Sequence, residues 1–265
     1  MTATPAAATS ALTQLAAGLA AQKIQIHDLT NKLSESTPTL RLPEPFPNLV
    51  DFSLENVAHF NDDGPFWSHN NFSQGEHVGT HIDAPIHWIS GRDGKDVASI
   101  EPERLIGPAV VLDFSAEAAE NPDFLVEVEH IKAWEAEHGP IPDNGWLLFR
   151  TGWDQYAQDQ EAFLNIDETG SHTPGFSAEC ARWLAEDTNI SGIGVETVGI
   201  DQGNAAELDP PFPIHYHLLG NDKYGITSLQ NLAKLPTRGA VIMIAPLPIV
   251  NGTASPCRVF ALVEG

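Results

Sequence analysis

Basic side chains are scarce in this chain: Lys and Arg number 13 against 36 Asp and Glu, a formal net charge of -23 over 265 residues. So acidic a surface repels phosphate backbones and anionic lipid headgroups, which excludes nucleic acid and membranes as expected partners. Cysteine is nearly absent. Cys180 and Cys257 lie far apart and form no Cys-x-x-Cys pair, so neither a disulfide framework nor a thiolate zinc site is expected, and both are read as small core or near-surface residues. No apolar run approaches the ~20 residues that a membrane span requires. The Ala-rich run over residues 6–21 has neither the basic start nor the apolar centre of a secretion signal. Leu12, Leu15 and Leu19, at near-helical spacing, instead predict a short amphipathic helix there, and a cytoplasmic enzyme is expected.

A dinucleotide fingerprint is missing as well. Gly192, Gly194 and Gly199 have the wrong spacing, and no helix follows them. The chain carries no internal repeat and no linker, and its 42% hydrophobic content suits one large domain over residues 23–265, with residues 1–22 as a helix or tail. Alternation over residues 24–29 predicts a first strand, residues 38–47 a Pro-rich extended connection, and residues 51–60 a second strand leading into an Asp-Asp-Gly-Pro turn. Apolar runs at 107–114 and 146–151 read as buried strands, as do 190–200, 240–245 and 259–263. Residues 128–138 read as a helix with Ile131 and Trp134 on one face and Gly139 as its stop, and Ser177 as the N-cap of a helix through Asp187. Strands and helices intermixed in this way predict an α/β or α+β domain. Arg150, at a strand end, suits a structural ion pair better than a substrate carboxylate.

What is abundant is histidine in one place. Residues 75–87 read Gly-Glu-His-Val-Gly-Thr-His-Ile-Asp-Ala-Pro-Ile-His, placing His77, His81, Asp83 and His87 at alternating positions, on one face of an extended chain. On a straight strand His77 and His81 would stand roughly 13 Å apart, near the limit for sharing one ion. Gly79 is placed to fold the chain back by taking φ > 0 or forming a bulge, and with Pro85 it argues against a helix. Two imidazoles and a carboxylate, His77, His81 and Asp83, leave coordination positions open, as in a catalytic site, and suit zinc or manganese. An ion of that kind acidifies water, and His87, just outside the ligand set, suits a general base.

This run resembles the signature of the cyclase family of metal-dependent hydrolases, the kynurenine formamidase superfamily, in His77, Gly79 to His81, Asp83, Pro85 and His87. The stretch Asp63-Gly64-Pro65-Phe66-Trp67 before it, and Trp88, Gly91 and Asp93 after it, are most similar to members that open the cyclic amide isatin. The resemblance implies a single domain with a mixed β-sheet, a swivelling β/β/α arrangement, and a homodimer or larger homo-oligomer whose loops cross into neighbouring sites, with residues 38–47 as the candidate crossing. It also implies a substrate pocket wall at Phe66 and Trp67, with Asn70 beside them. A similar Phe-Pro-x-His segment brings a histidine to the family's site, and His215 matches it. In the formamidases that histidine and a later glutamate hold a second zinc, but Gln230 stands in the acid's place here. A neutral amide adds no charge to offset the ion, so one metal is expected rather than two. His215 is then expected near the substrate, and Ser228 in a polar path by which protons leave.

The expected activity is opening of a small cyclic amide, isatin or a related ketoamide or imide, to a carboxylate. Hydrolysis of arylformamides or lactones is the alternative within enzymes. A metal-containing protein that only binds a small molecule is the alternative outside them, although a base beside the ligands would serve such a protein no purpose.

Overall fold

The runs predicted as buried strands lie side by side in a sheet that closes on itself. This computed structural model describes residues 10–42, 44–62 and 64–265. Among those residues the strands of three residues or more are β1 (Ile24–Asp28), β2 (Ser53–Ala58), β3 (His69–Ser73), β4 (His81–Asp83), β5 (Ile106–Asp113), β6 (Trp146–Arg150), β7 (Gly192–Val195), β8 (Tyr224–Thr227), β9 (Ala240–Pro246) and β10 (Ala254–Glu264). Strands β5, β6, β7 and β8 run parallel to one another, while β4, β9 and β10 pair antiparallel with their neighbours, so the sheet is mixed.

The closing strand is β10. Its first residues Ala254, Ser255 and Pro256 face Asp83, Ile82 and His81 of β4, and its remainder pairs with β9 and β1. Strand β4 also pairs with β8, which completes a ring that runs β10, β9, β5, β6, β7, β8, β4 and back. Side chains alternate across it. Ile82, Val111, Leu148, Ile226, Ile242 and Val259 fill the interior. Val110, Leu112, Leu147, Phe149, Ile193 and Val195 point outward and are covered by Ile131 of helix α2 (Val128–His138) and by Cys180 and Leu184 of helix α3 (Ala178–Glu186). Burial on both faces explains why these strands read as unbroken apolar runs.

Helix α2 spans the predicted residues and ends where Gly139 takes φ 86; helix α3 starts at Ser177, whose side chain accepts from the Cys180 amide. Both cysteines are buried. Arg150 pairs with Asp113. The strand predicted over 190–200 stops at Val195, and its glycines serve packing: a Cβ on Gly192 would come within 2.1 Å of the Tyr224 carbonyl oxygen, and one on Gly194 within 2.8 Å of Leu148. Strand β8 went unpredicted because four residues beside Asp222 and Lys223 show no period. An N-terminal helix, α1, is present over Ala11–Ala20, capped by Ser10. The beginning of the Ala-rich run, Pro43 of the extended connection and Asp63 of the predicted turn lie outside the described residues. No helix among the described residues is long and apolar enough to cross a membrane.

Where β7 ends, Glu196 turns inward and is 1% exposed. Its Oε2 accepts from the amides of Thr151 at 2.7 Å and Gly152 at 2.6 Å, while Oε1 is buried without a hydrogen-bond partner. Burial, then the nearby Asp154 charge, pushes its pKa up to about 7, against the hydrogen bonds that lower it. The folded state therefore holds this proton where the unfolded chain has lost it. The resulting stability is complete below the ordinary pKa of 4.5 and is lost as pH rises to about 7. Urea unfolding should show Glu196→Gln gaining on the wild type by roughly 2.4 kcal/mol between pH 5 and pH 7.5. A difference between the two proteins that does not move with pH would contradict this assignment.

Candidate metal centre

Strand β4 places the site by its alternation. Ile82 enters the barrel, so His81 and Asp83 lie on the opposite face, 3% and 1% exposed. Across the ladder they face Thr227 and Gly225 of β8. Gly79, at φ 68, turns the chain so that His77 returns beside them; the rings of His77 and His81 are 5.1 Å apart, far less than a straight strand allows. Pro85 opens a 3-10 turn, Pro85–His87, which carries His87 back over the same spot, its ring 4.1 Å from that of His77. Leu33 closes off the inside of the Gly79 turn, where a Cβ would meet its Cδ2 at 2.6 Å.

These side chains converge on Asp83. His77 Nδ1 is 2.9 Å from Asp83 Oδ1, and His81 Nε2 is 3.4 Å from the same oxygen. Ligand atoms of His77, Asp83 and His87 all lie within 4.8 Å of one another, so His87 stands inside the cluster. The carbonyl of Gly79, 2.8 Å from His81 Nδ1, can only accept. Nδ1 of His81 therefore carries the proton, and the nitrogen turned to Asp83 is the bare one. A bare imidazole nitrogen and a buried carboxylate oxygen aimed at one point make a set that fits a divalent cation, with second-sphere oxygens fixing the ring.

The electrostatics agree. Complete burial works to raise the pKa of Asp83, but His81 and His77 outweigh it and hold the carboxyl well below the usual range. Burial pushes His87 down to about 3, with Asp83 opposing, so its ring is neutral near pH 7.

His215 joins from another part of the chain. It opens the π-helical turn His215–Leu219, and its Nδ1 lies 2.6 Å from Asp201 Oδ2. The two Asp201 oxygens also accept from the amides of Ile214 and His215, which locks this turn in place. Nδ1–H thus points to Asp201, and Nε2 faces the site, 3.9 Å from Asp83 Oδ2. Burial lowers the pKa of His215, but the Asp201 hydrogen bond outweighs it and raises the pKa above the ordinary value. Trp88 lies against the ring at 4.7 Å.

The four histidines and Asp83 form the floor of a cavity of about 590 Å³, whose walls include Leu40 and Leu42 from the extended connection and Leu49 just after it. Part of the segment expected to cross into a neighbour therefore lines the cavity of its own chain. Phe66 and Trp67 do not line it; they are 80% and 57% exposed, and Asn70 bonds Asn56 in the β2–β3 hairpin. Gln230 turns its amide to the Leu229 carbonyl and is absent from the cavity wall. Ser228 is buried behind Thr227 at φ 54, its carbonyl accepting from Thr80 Oγ1. Asp201 and Thr253 were not assigned roles from sequence, because 14 and 176 residues separate them from the histidines they touch. Only the fold brings these pairs together.

Equilibrium dialysis should find one divalent ion per wild-type chain. His81→Ala should bind it roughly 100-fold or more weakly, and undiminished metal content would remove His81 from the ligand set.

The model of the Cyclase family matches residues 27–202 of this chain. The chain is similar to isatin hydrolase from Roseibium aggregatum, 44% identical over 259 residues that cover 97% of this chain and 98% of that protein. Among solved structures it is similar to isatin hydrolase A from Ralstonia solanacearum, with a TM-score of 0.94 and 48% identity over 98% of this chain and 100% of that one. It is similar also to an isatin hydrolase bound to the product analogue thioisatinate, with a TM-score of 0.94 and 42% identity over 97% of this chain and 100% of that one.

Proposed function

The chain belongs to the Cyclase family, and from that premise we propose that it is a metal-dependent hydrolase that opens isatin, or a closely related cyclic ketoamide or imide, to the ring-opened carboxylate. The observation that carries this reading is the convergence of His77, His81 and His87 on buried Asp83, in a chain alike over nearly its whole length to isatin hydrolases. A zinc or manganese ion held by His77, His81 and Asp83 would supply Lewis acidity and acidify water at the site.

The chain's own groups do the rest. His87, neutral near pH 7, takes a proton from the water whose oxygen adds to the amide carbonyl carbon. When the carbon–nitrogen bond breaks, His87 returns that proton to the ring nitrogen, leaving an amine and a carboxylic acid, which loses its own proton to solvent to become the carboxylate. His215, fixed through Nδ1 by Asp201, presents Nε2 to orient substrate or water. Leu40, Leu42 and Leu49 give a flat aromatic substrate an apolar wall.

The working unit is a homodimer. Strands β2 and β3 form a hairpin that pairs with no other strand among the described residues and exposes Leu54, Val57 and Phe72 along with Phe66 and Trp67. An isolated two-stranded hairpin is marginal in water, and a patch of this kind calls for a cover. A second copy supplies it, and Trp67 then reaches the partner's cavity.

Metal-stripped protein should leave the visible absorbance of isatin unchanged, and manganese or zinc should restore its loss. Full turnover without metal would contradict the mechanism; none with either ion would shift the substrate to arylformamides or lactones. His87→Ala should keep its metal and lose roughly a hundred- to ten-thousand-fold in kcat. For the dimer, mixed and reassembled Trp67→Ala and His87→Ala chains should regain roughly a quarter of wild-type turnover, since one site in each mixed dimer is whole. A monomer by light scattering, or no recovery, would overturn the arrangement.

A further inference from the structure

The segment that leads into β10 does more than close the barrel. Thr253 directly precedes Ala254, the residue that faces Asp83 across the ladder, and its carbonyl accepts from the Ala84 amide at 2.9 Å. Thr253 is thereby fixed against the run that carries the metal ligands. Its hydroxyl oxygen stands 3.0 Å from His77 Nε2 on one side and 2.7 Å from Glu76 Oε2 on the other.

One proton has to serve this hydroxyl, and its partners decide where the proton goes. Glu76 Oε2 already accepts from the amides of Thr253 at 3.0 Å and Ala254 at 3.4 Å, so it acts as an acceptor on every side. The Thr253 hydroxyl must therefore donate to Glu76. Towards His77 it can then only accept, which requires a proton on His77 Nε2. In the neutral ring Nδ1 is left bare, 2.9 Å from Asp83 Oδ1, which is also an acceptor. Two lone pairs that close make a place that suits a cation.

We propose that Thr253 and Glu76 are positioning residues of the metal centre: Glu76 takes the Thr253 hydroxyl proton, Thr253 accepts Nε2–H of His77, and this relay fixes the tautomer that presents Nδ1 to the ion. The relay does for His77 what the Gly79 carbonyl does for His81. It rests on the reading of His77 as a ligand, but its effect on the tautomer is present without metal. The sequence conceals it, because Glu76 adjoins His77 whereas Thr253 lies 176 residues away.

The test has two arms. In metal-free protein, long-range proton–nitrogen NMR should show His77 protonated at Nε2. Thr253→Val should release the ring, which then moves its proton to Nδ1 and donates to Asp83. Thr253→Ser should restore the wild-type resonance. Glu76→Gln, whose amide can donate to Thr253 and free the hydroxyl proton, should move His77 in the same direction as Thr253→Val. In the second arm, competition with a fluorescent chelator for manganese or zinc should give a 10- to 100-fold loss of affinity in Thr253→Val, recovered to within several-fold by Thr253→Ser. A His77 tautomer unchanged in both Thr253→Val and Glu76→Gln would overturn the relay, and so would wild-type metal affinity in Thr253→Val. A wild type that takes up no metal would sink the ligand reading of His77, while the metal-free spectra would still decide whether the relay exists.

Discussion

A carboxylate removed from water has to be compensated, and Asp83 is the carboxylate on which this structure turns. It lies in the wall of the barrel with 1% of its surface exposed, and the groups that meet it are imidazoles. Neutral imidazoles cannot all donate to it. The bare nitrogen of His81 and the proximity of His77 and His87 gather lone pairs at one point, where a divalent cation would fit. Buried acceptors gathered without donors would destabilise the fold by several kcal/mol, and a cation bound there would remove that cost.

Barrel closure brings the parts to that point. Strand β4 has only three residues, yet it pairs with β8 on one side and with the start of β10 on the other. The first pairing sets Thr227 against His81, and the second sets Thr253 beside His77. The loop after β7 adds Asp201, which orients His215 from a turn further along the chain. Segments far apart in sequence thus meet at one wall of the cavity, while the apolar interior and the two helices hold the strands in register.

Much of this was legible in the sequence, and the reasons differ by residue. His77, His81, Asp83 and His87 sit within a run of 13 residues, close enough that Gly79 and Pro85 could be read as the turns that gather them. Gly79 does take the left-handed backbone, at φ 68. The buried strands were readable because both of their faces are covered. Strands β4 and β8 were not, since neither is long enough to show a period. Asp201 and Thr253 were invisible for another reason: their partnerships are made by tertiary pairing and leave no local pattern. The place of Phe66 and Trp67 is a third case, because in the single chain they face outward, away from the cavity that the metal-ligand run lines.

Everything at this site turns on whether one divalent ion sits against Asp83. Anomalous diffraction from crystals grown with manganese, and separately with zinc, decides it. A single strong peak per chain is expected, bounded by His77, His81 and Asp83 with His87 alongside. A peak elsewhere, or none while the protein still opens isatin at full rate, would contradict it.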